Sequence, residues 1–187
     1  MVKITSYCEI DNDRVLLNGK ETDIPEMPES VWSSRIYKAI GMQYPKFFKM
    51  DNLCKFGTLA AEILFNDLGL DPETPKKNWG IICQNSCSSL DTDRRYQTTI
   101  DNLDEYYPSP AVFVYTLANI VTGEIAIRNK IMGETSTFIA PEFDKDELLL
   151  LAENSMDNDP CIDHLLCGWI NYEHDTCNVK MYIIEKQ

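Results

Sequence analysis

Apolar and polar positions alternate along residues 2–10 and again along 14–18, with "DND" between them and "NGK" after. That pattern predicts two strands joined as a hairpin. "IPEMPES" then reads as a proline-punctuated loop, with Ser30 placed to cap a short helix over "VWSSRIYKAIG". From Met50 the period changes. Leu53, Phe56, Leu59, Ala60, Ile63 and Leu64 recur at helical spacing, and Gly69 stands where such a helix would stop. "NWGIICQ" is a short apolar run of the kind that makes a buried strand.

"NSCSSLDTDRRYQTTIDNLDEYY" opens as a polar turn and turns helical from about Asp91, and Pro108 and Pro110 break the chain after it. In "VFVYTLANIVTGEIAIRNKIMG" the positions Phe113, Leu117, Ile120, Val121, Ile125 and Ile127 predict a second buried helix that tolerates Gly123. "GETSTFIAPEF" follows, a strand over 135–140 running into a turn that presents Glu142. "DKDELLLLAENSMDN" predicts a helix with acidic residues in its first turn, where the helix dipole favours them. Its four consecutive leucines spread over more than half the circumference and demand cover on most sides. "CIDHLLCGWINYE" and "NVKMYIIEK" are the last strands, parted by the turn "HDT". Strands alternating with helices predict an α/β layer with a largely parallel sheet and an antiparallel edge. Residues 1–187 read as one domain, long enough to bury a substantial core.

Charge and thiols narrow the function. A formal charge of -13 argues against nucleic acid and anionic membrane, which bind through basic surfaces. The candidate basic patches are Lys46, Lys49 and Lys55, and Arg128 with Lys130; scattered solvated charges are the simpler reading of both. Seven cysteines, odd in number and scattered, point to reduced thiols in a cytoplasm. The start lacks the apolar core of a signal peptide, and no apolar run approaches the ~20 residues of a membrane span.

Candidate chemistry is sparse. The cysteines form no C-x-x-C, His164 and His174 lack ligand spacing, and Cys83 with Cys87 would need two further ligands, so no metal is expected. His164, inside an apolar strand, reads as a satisfied core residue. Eight glycines spread singly leave no phosphate-cradling loop, and no cofactor is expected. Cys87 lies among hydroxyl residues after a buried strand, the setting of a nucleophile at a strand-to-helix turn. A reactive thiol needs a base, a cation or a helix terminus beside it, and the bland alternative is a polar loop that caps the next helix.

The block "FVYTLANIVTGEIAIRNKIMGETSTFIA" is the most distinctive in the chain. With "FFKMD", "NWGIICQ" and "CGWINYE", which keeps Gly168 and Glu173, it resembles the N-terminal half of the β-ketoacyl synthases, condensing enzymes of the thiolase fold, over about Phe47 to Glu173. The resemblance implies an α/β thiolase-like half-fold: a mixed, mostly parallel five-stranded sheet with flanking helices, the C-terminal half of the family fold being absent. Thr116, Asn119 and Gly123 match the family's T-x-x-N-x-x-x-G helix. Thr116, Leu117, Asn119, Ile120 and Gly123 are thereby implied to border a substrate pocket or a dimer interface. The family's nucleophilic cysteine, nine residues beyond the matching glycine, is replaced here by Glu142, and the expected proline by Glu134. The catalytic His/His/Lys set of the other half has no counterpart.

Condensing activity is therefore not expected, and no catalytic residue is assigned. The implied role is a non-catalytic accessory subunit in fatty-acid- or polyketide-type biosynthesis. The alternatives are an acyl-thioester decarboxylase or hydrolase that uses Glu142 within an assembly, and an acyl-chain binding module. The implied partner is a second copy or a synthase-like chain covering the 147–156 helix, the 135–140 strand or both, with an acyl carrier protein as a further candidate. The alternative is a monomer in which residues 1–30 fold over the leucine face.

Overall fold

In the computed structural model, which describes residues 2–102, 104 and 106–187, the two periodicities form one sheet with helices on both faces. The strands are β1 (Val2–Ile10), β2 (Val15–Leu17), β3 (Lys20–Glu21), β4 (Trp79–Asn85), β5 (Thr135–Ile139), β6 (His164–Glu173) and β7 (Thr176–Lys186). Their order across the sheet is β3-β2-β1-β7-β6-β4-β5. Strand β4 is parallel to β5 and to β6, and every other pair is antiparallel.

The sheet is thus seven-stranded and mixed, not five-stranded and mostly parallel. Two causes stand behind the difference. Tight turns join β2 to β3 through Asn18 and Gly19, with φ of 51° and 77°, and β6 to β7 through His174 and Asp175, with φ of 50° and 57°. Such positive-φ pairs match the twist of antiparallel neighbours. In addition, β1 and β7 pair from Val2↔Lys186 to Ile10↔Val179, joining the two ends of the sequence in the middle of the sheet.

Helix α1 (Trp32–Ala39) starts at Val31 without a side-chain cap, so the expected cap at Ser30 does not form. Helix α2 (Asn52–Asp67) starts at Asp51, whose carboxylate accepts from Cys54 N at 2.9 Å, and the chain turns away beyond it at Gly69, φ 65°. Leu53, Leu59, Leu64 and Phe65 of α2 are buried between the sheet and its neighbouring helices. Gly57 permits that closeness: a Cβ there would lie 2.7 Å from Val121 and 2.9 Å from Ile170.

The expected helix from Asp91 is α3 (Leu90–Gln97); of its expected continuation, Leu103 and Glu105 lie outside the described residues. The expected single helix over 112–133 is two, α4 (Pro110–Phe113) and α5 (Ile120–Asn129). Between them Thr116 Oγ1 donates to Phe113 O at 2.7 Å and tight i+3 bonds replace the α-helical ladder. Val121 and Ile125 are buried as expected, whereas Phe113, Leu117 and Ile127 are exposed.

Helix α6 (Lys145–Asn158) lies on the opposite face, N-capped by Asp144, which accepts from Asp146 N and Glu147 N. Leu148, Ala152 and Met156, four residues apart, bury against the sheet, Leu149 and Leu151 are half-covered, and Leu150 remains exposed. The N-terminal segment does not wrap this helix. Strand β1 lies in the sheet and sets Val2, Ile4 and Tyr7 beside the same cluster, while Met1 lies outside the described residues. Among the described residues no helix is long and apolar enough to cross a membrane.

Candidate functional site

The carboxyl ends of parallel strands are where open α/β sheets place their ligands. Here β4 and β5 run in register from Ile81↔Thr135 to Asn85↔Ile139, so the turn carrying Cys87 and the turn carrying Glu142 leave the sheet at one end. Ala140 N donates to Asn85 O at 2.9 Å and ties the two turns together. Strand β5 starts through Gly133, where a Cβ would come within 2.3 Å of Trp79 O; no other residue allows that approach.

Glu142, at the position that the resemblance assigns to a nucleophile, is exposed in the bend after β5. The helix that follows is capped by Asp144, not by Glu142.

Cys87 has a defined polar setting. Its Sγ donates to Glu173 Oε2 at 2.8 Å, and Arg94 Nη2 donates to Glu173 Oε1 at 3.1 Å. Beside it Ser86 donates from both N and Oγ to Asn171 Oδ1, at 3.2 and 3.1 Å. Burial pushes the Cys87 thiol pKa up and the Glu173 carboxylate pushes it further; the thiol hydrogen bond and then Arg94 hold Glu173 down. The proton therefore stays on sulfur, the resting state opposite to that of a thiolate nucleophile. His174 Nε2 lies 3.5 Å from Glu173 Oε1, not against the thiol. This cluster was invisible in the sequence because Cys87 and Glu173 are far apart in the chain and meet only across β4 and β6.

The residues matched to the pocket-and-interface helix lie on the β5 side of the sheet. Thr116 and Leu117 follow α4, Asn119 is the exposed residue before α5, and Ile120 packs against the core. Nothing lies within 4 Å of a Cβ built on Gly123, so packing does not demand a glycine there. Helix α5 contacts β5, and the short link between them makes the two run antiparallel. Beyond β5 the sheet ends. Between α4 and the end of β5, Leu117 is 50% exposed, Ile127 64%, Met132 65% and Ile139 57%, and Phe138 is 41% exposed. Of these, Phe138 and Ile139 lie on the edge strand itself.

Most of the candidate basic residues are already neutralised. Lys46 pairs with the buried Glu124 at 2.7 Å, Lys130 with Glu73 at 2.7 Å, and Arg128 with Glu62 at 2.7 Å. Lys49 and Lys55 have no ion-pair partner among the described residues. His164 is not enclosed in the core: it stacks on Trp79, centroids 4.8 Å apart, and contacts Asp163 at the edge of the cluster. Among the described residues no three of His, Cys, Asp and Glu come together as metal ligands.

No family model matches the sequence, and no curated protein matches it. Solved structures do match. The ishigamide ketosynthase/chain length factor superposes with a TM-score of 0.67 at 12% identity, covering 99% of this chain and 62% of that one. A chain of the complex of the ketosynthase ApeO with its chain length factor ApeC, from Xenorhabdus doucetiae, gives 0.67 at 12% identity over 100% of this chain and 79% of that one. A ketosynthase from module 6 of the bacillaene synthase of Bacillus subtilis 168 gives 0.56 at 12%, over 99% and 36%. The chain has the thiolase-like fold of the β-ketoacyl synthases and spans 62% of the length of the first of these structures.

Proposed function

We propose that this chain is a non-catalytic accessory subunit that pairs with a synthase-like chain in fatty-acid- or polyketide-type biosynthesis. The observation that carries the reading is the open β5 edge. Phe138 and Ile139 are consecutive, so they project from opposite faces of the strand, and both are exposed. An edge strand that ends with an exposed apolar residue on each face invites a partner strand with cover above and below. Support also comes from similar structures that are complexes of a ketosynthase with a chain length factor, and in one case with an acyl carrier protein. In this reading the carrier is a second partner, Thr116, Leu117, Asn119, Ile120 and Gly123 belong to the subunit contact, and the setting is the cytoplasm, a reading that the seven free thiols support.

The chemistry agrees with a subunit rather than a condensing enzyme. Glu142 offers no nucleophilic sulfur, and burial and then Glu173 favour the protonated thiol at Cys87.

Light scattering of the chain at micromolar concentration, alone and mixed with a ketosynthase, tests the reading. Association is expected, and it is lost in Phe138→Lys/Ile139→Lys while the circular dichroism stays unchanged. A monomer in both samples overturns the proposal. Intact-mass analysis with an activated acyl thioester supplies a second arm. No stoichiometric acyl-enzyme is expected, and single-site acylation at Cys87 would restore an enzyme reading.

A further inference from the structure

A separate cavity of ≈ 440 Å³ opens where β6 ends, walled by the first turns of α1 and α2, by Asn12 and by the β6–β7 turn. Its volume lies within the range of small-molecule sites. The apolar part of the wall is aromatic: Trp32, Phe56 and Tyr172, the last two stacked with centroids 5.7 Å apart and planes 18° apart.

The polar part holds one cation, Lys55, one carboxylate, Asp175, and several amide or hydroxyl groups. Trp32 Nε1 is used on Asp11 O at 2.7 Å, Tyr172 Oη on Asp175 Oδ1 at 3.2 Å, and Asn52 Nδ2 on Asp91 Oδ2 at 3.4 Å. Asn12 Oδ1 accepts from Cys177 N at 2.8 Å. That leaves the Lys55 ammonium, the Asn12 amide N–H groups and the Ser33 hydroxyl as donors without an acceptor among the described residues. A wall of aromatic rings and unengaged donors is complementary to a flat ligand that brings its own acceptor oxygens.

We propose that this cavity binds a planar aromatic carboxylate, its ring among Trp32, Phe56 and Tyr172 and its carboxylate bonded by Lys55, Asn12 and Ser33. Electrostatics support the sign of the ligand. Lys55 is half-buried; burial first and the nearby Arg95 second pull its pKa down, Asp51 pulls it back up, and an anion in the cavity would favour the charged ammonium further. The carboxylate in the wall, Asp175, accepts from Tyr172 through Oδ1 and keeps its charge, so Lys55 is the group that sets the preference for an anion. The site does not rest on pairing with a synthase, since none of its residues belongs to the β5 edge.

The test is a titration of the full chain with 2-naphthoate, read by calorimetry and by Trp32 emission. One-to-one saturable binding is expected, at least about tenfold tighter than that of neutral 2-naphthalenemethanol or of hexanoate, the ratio set by one charge-assisted contact or by ring stacking. Lys55→Met keeps the stem of the side chain and should weaken binding about tenfold, and Ser33→Ala should weaken it less. Trp32→Phe should abolish the emission change and leave the heat. Circular dichroism establishes that each variant is folded; if Lys55→Met is not, Ser33→Ala and the neutral alcohol decide. Absence of saturable binding overturns the proposal, as does equal affinity for the alcohol, for hexanoate or in a folded Lys55→Met.

Discussion

Removing the Arg128 guanidinium while leaving Glu62 in place should be among the most damaging single changes in the chain. Arg128 lies on α5 and Glu62 on α2, and they meet through two bonds, Nη2 to Oε1 at 2.7 Å and Nε to Oε2 at 3.1 Å. Their side chains are only 9% and 6% exposed, and the guanidinium also lies over the Tyr44 ring at 4.9 Å. In Arg128→Met the carboxylate stays in a site with little water to solvate it. Breaking such a pair from one side costs roughly 3–5 kcal/mol, whereas replacing both members by apolar groups is close to neutral. For a domain of this size the single change corresponds to a Tm lowered by about 6–20 °C, at ~2–4 °C per kcal/mol. Urea denaturation of the wild type, Arg128→Met and Arg128→Met/Glu62→Leu supplies the comparison. The double variant should recover most of the stability lost in the single one. A single-variant loss below about 1 kcal/mol, the range of exposed pairs, would refute the claim that this pair is effectively buried.

The two glycines at the ends of the α5–β5 segment should respond in opposite directions. Gly133→Ala puts a Cβ 2.3 Å from Trp79 O and should cost about 1–3 kcal/mol or more, whereas Gly123→Ala meets nothing and should stabilise α5 by roughly 0.5–1 kcal/mol. Equal denaturation midpoints for the two variants would contradict the geometry. Stability should also fall on the alkaline side. Burial pushes the Cys8, Cys83 and Cys177 thiols up to about 12, against ~8.5 unfolded, so the unfolded chain loses these protons first. Their contribution is complete below pH ~8.5 and is lost as pH rises towards 12, so a urea midpoint unchanged or higher at pH 10 than at pH 7 in triple Cys→Ala-corrected data would count against it.

The helical spacing from Leu53 to Leu64 was enough to place α2, because twelve of its sixteen residues are buried and each register position repeats the same demand. The turns "NGK" and "HDT" were equally legible, since Asn-Gly and His-Asp sit in the backbone region those hairpins need. The β4 and β5 strands and the bend at Glu142 were also readable, and so was the likeness carried by residues 113–140 that the superpositions support at the level of fold.

The rest depended on neighbours. Apolar alternation in β1 states that one side of the strand is buried but not which strand lies beside it, and pairing with β7 is what makes the sheet seven-stranded and largely antiparallel. Helical spacing likewise listed Phe113, Leu117 and Ile127 with Val121 and Ile125, and only the break at Thr116 and the end of the sheet at β5 left the first three exposed. The Cys87–Glu173 contact and the Trp32–Phe56–Tyr172 cavity join positions far apart in sequence, where no local period reaches. Local patterning determined where this chain becomes helix, strand and turn, because those choices rest on residues within a few positions of each other. Which surfaces stay open and which side chains meet was decided only by tertiary packing, because burial is shared among distant segments.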